Sequence, residues 1–156
     1  HVFIYFMITL SEEQQNILNH VKNGKNVVVD SCAGTGKTTL ILSVAKALSD
    51  KHLLQMTYNS MLRHEVKERV KRAEIENMQV HTFHSLAVRY YLPTCFTDTG
   101  IRYILYKDLP LIHRPPKFDV FVLDEAQDIN QLYFELVSLN QFHSFLKNYH
   151  LSYLYF

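Results

Sequence analysis

Tryptophan is absent from this chain of 156 residues, and glycine and proline occur only four times each. So little Gly and Pro excludes a collagen-like or low-complexity chain. Two cysteines, Cys32 and Cys95, are too few for a disulfide framework. They point to a reducing, intracellular setting, with cytoplasm and nucleus left open. No apolar run approaches the ~20 residues that a membrane-spanning helix needs. The apolar stretch at residues 2–10 stops short of that length and lacks a basic n-region. A dominant charge is lacking too: sixteen Lys and Arg against fifteen Asp and Glu leave +1. Any nucleic-acid surface must therefore be local.

What is present is ordinary globular material, 47% apolar and 20% charged, in a length that suits one domain. A chain of this size buries roughly two thirds of its unfolded surface, enough for a core. Met7 directly precedes Ile8-Thr9-Leu10-Ser11. It reads either as a natural translation start, with residues 1–6 from an open-ended reading frame, or as part of a short edge strand.

Short apolar runs alternate with stretches of helical period, the pattern of an α/β sheet protein. Residues 27–30 read as a buried strand, and 38–48 as a helix with Leu40, Ile41, Val44, Ala45 and Leu48 on its apolar side. A second strand is expected at 53–58 and a second helix at 60–73. In that helix Leu62, Val66, Val70 and Ala73 share one face, and Arg63, Lys67 and Lys71 another. The basic stripe reads by default as a solvated face braced by Glu65–Arg69 and Glu68–Arg72 pairs, with phosphate contact as the alternative. A strand at 78–82, a helix at 85–91 ended by Pro93, a strand at 118–123 and a helix at 130–140 complete the pattern. Residues 94–117 are punctuated by Pro110, Pro115 and Pro116 and show no clear element. Residues 141–156 hold six aromatics and no acidic residue, glycine or proline. That shift marks either a further strand or out-of-frame sequence after a truncation.

The segment Val27-Val28-Val29-Asp30-Ser31-Cys32-Ala33-Gly34-Thr35-Gly36-Lys37-Thr38-Thr39 has the parts of a phosphate-binding loop. Glycines let the backbone curl so that its N–H groups face an anion. A lysine then reaches the outer phosphates, a hydroxyl residue ligates Mg²⁺, and the following helix adds the positive end of its dipole. Gly34, Gly36, Lys37 and Thr38 fill these roles, and Ala33, Thr35 and Thr39 complete the expected ATP-binding stretch. Ser31 stands where the strict pattern has glycine. Cys32 reads as a small loop residue. His81, His84 and Cys95 lack the fourth ligand of a metal site.

Hydrolysis also needs an acid to hold Mg²⁺ and a carboxylate to orient or deprotonate water. Phe118-Asp119-Val120-Phe121-Val122-Leu123-Asp124-Glu125-Ala126-Gln127-Asp128 carries both at the end of an apolar strand, where ligands gather in open α/β sheets. Asp124 is assigned to Mg²⁺ and Glu125 to the attacking water. The alternative is a capping cluster, with Asp128 opening the next helix. The expectation is that Lys37 and the Asp124/Glu125 couple converge on one triphosphate pocket from adjacent sheet edges.

Asp124-Glu125-Ala126-Gln127-Asp128 together with Ala33-Gly34-Thr35-Gly36-Lys37-Thr38-Thr39 resembles the superfamily 1A DNA helicases, the UvrD/Rep/PcrA-like group. In that family the first loop glycine is commonly replaced. The resemblance extends over about residues 10–140 and implies an incomplete RecA-like P-loop fold, three layers with a mainly parallel sheet. It implies ATP and Mg²⁺ as cofactors, Lys37 and Glu125 as catalytic residues, Thr38 and Asp124 as metal ligands, and Gln127 among the ATP contacts. Leu10-Ser11-Glu12-Glu13-Gln14-Gln15 looks like the family's Q motif, in which Gln14 would bond adenine; Ser11 and Gln14 equally form a helix capping box. Thr57-Tyr58-Asn59 looks like motif Ia, with Met61 near the place of its usual lysine. Thr82-Phe83-His84-Ser85 is similar to the Thr-Phe-His-Ser element. Both would face single-stranded DNA or a single/double-strand junction, with Tyr58 and Phe83 stacking on bases at ~1–3 kcal/mol each. Core packing is the alternative for either ring.

No Gly-Asp-x-x-Gln element follows Asp128, and no second RecA-like domain with an arginine finger is present. Such a finger contributes ~10³–10⁵ in rate at related sites. The short interval between Ser85 and Asp124 and the Tyr58-Asn59 variant look closer to compact F-box-type and large-virus helicases than to the bacterial enzymes. The expectation is therefore an N-terminal fragment of a 3′→5′ helicase that binds Mg·ATP, hydrolyses it very slowly and does not unwind DNA alone. The alternatives are a non-catalytic remnant or nucleotide-binding module, and a stand-alone P-loop ATPase of another family. No membrane partner is expected.

Overall fold

Ser11 opens the first helix by a reciprocal device. Its hydroxyl accepts from the Gln14 amide N–H, and the Gln14 side chain accepts from the Ser11 N–H, so two otherwise orphaned donors are satisfied. In the computed structural model, which describes residues 9–29, 36–139 and the backbone of 152–155, this helix is α1, Glu12–Lys22. It is followed by β1 (Val27–Val28), α2 (Lys37–Ala47), β2 (Leu53–Met56), α3 (Ser60–Arg72) and β3 (Met78–His81). Then come α4 (Phe83–Tyr90), α5 (Asp98–Lys107), β4 (Val120–Leu123), a 3₁₀ turn (Ala126–Asp128), α6 (Gln131–Ser138) and β5 (Ser152–Tyr155). Among the described residues no helix is long and apolar enough to cross a membrane.

The strands form one parallel sheet in the order β1-β5-β4-β2-β3. Parallel strands are covered on both faces, and all four residues of β2 are buried accordingly. Side chains alternate between two cores. Leu53, Val80 and Val122 pack with Ile17, Val21, Ile41, Val44 and Val66 of α1, α2 and α3. Leu54, Met56 and Phe121 pack with Leu86, Ile101, Ile104 and Leu136 of α4, α5 and α6. The result is an α/β arrangement, as the apolar pattern implies, with the three layers that the resemblance implies.

Several expectations are corrected. The segment at 94–117 contains α5, which the prolines and the Thr97-Asp98-Thr99-Gly100 stretch conceal. Asn130, not Asp128, opens α6, its carboxamide oxygen accepting from the Tyr133 N–H at 3.0 Å. The Glu65–Arg69 pair forms at 2.9 Å, while Glu68 and Arg72 make no ion pair among the described residues. β1 and β4 are not neighbours, since β5 from the aromatic tail lies between them. The expected loop positions Ser31, Cys32, Ala33, Gly34 and Thr35, and the N-terminal run through Ile8, lie outside the described residues.

Candidate functional site

Parallel strands all end at the same side of the sheet, so the tips of β2, β3 and β4 and the start of α2 share one rim. Gly36 leads into α2 with φ of 83°, a left-handed conformation that suits glycine. A Cβ there would come within 3.1 Å of the Gln14 Nε2. The Gln14 Oε1 serves the α1 capping box, and its Nε2 lies against the head of α2.

Lys37, the first residue of α2, reaches across to β4, where its Nζ lies 3.5 Å from Glu125 Oε1. The two residues are 88 positions apart in the chain. Thr38 and Thr39 follow in the first turn of α2. Glu125 adopts a left-handed φ of 56°, a conformation that costs a non-glycine residue energy and gathers at functional sites. Its other carboxylate oxygen accepts from Gln127 Nε2. The side chain is thereby held between Lys37 and Gln127, at the end of the loop that leaves β4.

Asp124 continues the ladder one residue beyond β4, donating its N–H to Met56 O at 3.0 Å. It is 7% exposed, and its Oδ1 is buried without a hydrogen-bond partner among the described residues. Burial raises its pKa above the ordinary carboxylate value, the adjacent Glu125 charge raises it further, and Lys37 opposes both. A buried carboxylate oxygen with no donor is expensive, and a hard divalent cation is a suitable partner for it. Lys37, Thr38 and Asp124 therefore fit a Mg²⁺-bound phosphate chain.

The residues expected to meet DNA divide into open and closed ones. Tyr58, just past β2, is 49% exposed. Asn59 opens α3 by accepting from the Leu62 N–H at 2.7 Å. Thr57 is fully buried, its Oγ1 without a partner among the described residues. Thr82 and Ser85 form the capping box of α4. Phe83 is corrected from base stacking to packing. It is 2% exposed and lies flat on Tyr133, with ring centroids 4.6 Å apart and planes 7° apart. His84 Nε2 bonds Asp98 Oδ1 at 2.9 Å.

Tyr133 was not singled out in the sequence, yet it organises this rim. Its ring meets Phe83, Tyr58 and His84, and its hydroxyl donates to Asp98 Oδ1 at 2.9 Å. Burial and the Asp98 carboxylate push the phenol up to about 12. Nothing in its place on α6 announces this role, because the partners come from three separate segments: the turn after β2, α4 and α5. Of the residues that the metal-site reading considered, His81 bonds Gln79 and Ser85, His84 bonds Asp98, and Cys95 Sγ approaches Thr97 O.

Residues 10–102 match the UvrD/REP helicase N-terminal domain family. The chain is also similar to F-box DNA helicase 1 of Gallus gallus, 38% identical over 81 residues. That stretch is 51% of this chain and 8% of the relative, so the chain spans a small part of that protein. The family match holds Gln14, Lys37, Tyr58 and His84 and ends before Asp124 and Glu125.

Proposed function

Since the chain belongs to the UvrD/REP helicase N-terminal domain family, we propose that it is the Mg·ATP-binding portion of a superfamily 1A DNA helicase, with 3′→5′ polarity by resemblance. The observation that carries this reading is the meeting of Lys37 with Glu125 at 3.5 Å beside the buried, unpartnered Asp124 Oδ1.

In this reading Lys37 binds the β and γ phosphates, helped by the backbone N–H groups at the head of α2. Thr38 and Asp124 would hold Mg²⁺, which would supply charge neutralisation at the phosphoryl oxygens. Glu125 accepts the proton of the attacking water through its carboxylate, and Gln127 keeps that carboxylate oriented. Gln14 offers its Nε2 to adenine. Ala33, Gly34, Thr35 and Thr39 complete the nucleotide contacts. Single-stranded DNA crosses the rim at Tyr58, Asn59, Thr82 and His84, where Tyr58 is the exposed ring, while the buried Thr57 supports the turn from beneath. Efficient hydrolysis requires a second RecA-like domain to bring an arginine finger, so this chain alone turns over slowly and does not unwind DNA.

Calorimetric titration with Mg·ATP tests the pocket. Lys37→Ala is expected to weaken binding about tenfold or more, the loss of a charge-assisted contact worth ~1.5–3 kcal/mol. Identical heats for the native chain and Lys37→Ala would remove the basis of the reading.

A further inference from the structure

β3 is the outer strand of the sheet, and α3 and α4 stand on either side of its free edge. Between them runs an open groove of about 910 Å³. One wall carries Arg63, Lys67 and Lys71 of α3, and the opposite wall carries Arg89 of α4. Among the described residues no aspartate or glutamate lines it. The acidic residue of α3 that forms an ion pair, Glu65, is engaged with Arg69 instead. Apolar Val80 and Val88 line it together with polar Gln79 and Ser85, and Phe96, also in the lining, is 71% exposed.

The positive potential registers on the groups inside. His81 is buried, and its pKa is lowered to about 3, first by burial and then by the charges of Lys67, Arg63 and Arg89. Lys67 is lowered as well, by burial and by Arg63 and Arg89. These cations repel one another and receive no carboxylate from the groove. The Arg63 Nε–H points to Val80 O at 3.5 Å, which turns the guanidinium toward the strand edge.

The spacing selects the class of anion. Arg63, Lys67 and Lys71 recur every fourth residue, a rise of roughly 6 Å per step along the helix, and successive phosphates of an extended strand can follow such a row. An exposed aromatic in the same groove as a row of cations suits nucleotides, whose bases stack while their phosphates pair.

We propose that this edge groove is a second nucleic-acid surface, which holds the phosphodiester backbone of a single strand through Arg63, Lys67, Lys71 and Arg89 and stacks a base on Phe96. It lies along the β3 edge, away from the Lys37–Glu125 pocket, and it does not depend on the nucleotide reading. Thr82 and His84 belong both to the groove and to the strand-tip rim, so a strand crossing the tips can continue into it.

The test is fluorescence anisotropy of a labelled oligothymidylate with the full chain over a range of salt concentrations. Lys67→Ala/Lys71→Ala is expected to weaken binding about tenfold and to reduce the slope of log affinity against log salt by about 1.4, for two lost phosphate contacts to a single strand. Phe96→Ala is expected to weaken binding with the salt slope unchanged. Mg·ATP titration of the same variants should give native heats, which also reports that they are folded. Lys37→Ala should bind the oligonucleotide normally, so failure of the ATP pocket is separable from failure of the groove. Native affinity and salt slope in Lys67→Ala/Lys71→Ala would overturn the proposal. So would displacement of the oligonucleotide by polyglutamate at equal charge concentration, which would assign the groove to an acidic peptide.

Discussion

Asp124 and His81 are both buried ionisable side chains, and they bias stability in opposite directions with pH. The Asp124 carboxyl is held above its unfolded value, so the folded chain binds that proton more readily than the unfolded chain. At neutral pH it therefore costs stability, which returns as pH falls through the folded pKa. Asp124→Asn is expected to raise the urea midpoint at neutral pH while removing Mg²⁺-dependent nucleotide binding, a trade typical of functional sites. A lower midpoint would mean that the charge is stabilised where it stands. His81 runs the other way. Its folded pKa of about 3 lies below the ordinary 6.5, so the unfolded chain takes up the proton first as the solution is acidified. Stability is lost from pH 6.5 toward pH 3, by at most ~1.4 kcal/mol per pH unit for one proton. His81→Gln should flatten that part of the profile in urea unfolding at stepped pH. An unchanged slope would assign the acid sensitivity to other groups. Glu125→Gln belongs to the same scale. It should retain Mg·ATP binding by titration and abolish the slow release of phosphate, the outcome expected of a general base.

At the scale of elements, local chemistry made most of the fold legible. Ser11 and Gln14 announce α1, Asn59 precedes α3 and Thr82 precedes α4, and each cap acts where it stands in the chain. The helix α5 was hidden because Thr97-Asp98-Thr99-Gly100 is turn chemistry, and its apolar stripe is short, with Ile101 and Ile104 buried. Gly100 is there for packing. A Cβ at that position would lie 2.7 Å from Cys95 Sγ and 3.0 Å from Cys95 Cα. Gly100→Ala is therefore expected to lower stability by about 1–3 kcal/mol through overpacking, although alanine is the better helix former. A denaturant midpoint at or above the native one would show that the contact relaxes freely. Asn77 illustrates the same limit. Its Nδ2 donates toward Ala45 O, Leu48 O and Lys51 O at 3.0, 2.8 and 2.8 Å. It closes the end of α2 from the loop before β3, a partner no local pattern could name.

On the scale of the whole molecule, the sheet separates two apolar layers, one under α1, α2 and α3 and one under α4, α5 and α6. Ile41 is 1% exposed in the first and Ile104 fully buried in the second. Ile41→Val and Ile104→Val should each cost about 0.5–1.5 kcal/mol. The double variant should equal their sum within about 0.5 kcal/mol in urea unfolding, because the two sites share no packing partners. A larger departure would mean that the sheet transmits strain between the layers. The same architecture places the head of α2 and the end of β4 on one rim although β5 lies between β1 and β4. Lys37 spans the distance with its long side chain to reach Glu125.

The order of residues alone determined the loop chemistry around Gly36 and Lys37, the acidic end of β4, the caps and the two-faced apolar strands. All of these depend on neighbours within a few positions. Tertiary structure alone decided that Phe83 is sealed by Tyr133 while Tyr58 stays open, that Asp124 Oδ1 is buried without a partner among the described residues, and that Arg89 faces the stripe of α3 across the β3 edge. The physical reason is range. Propensity and capping act along the backbone, whereas burial, charge pairing and ring stacking depend on which strands lie side by side, and that follows from the packing of both layers at once.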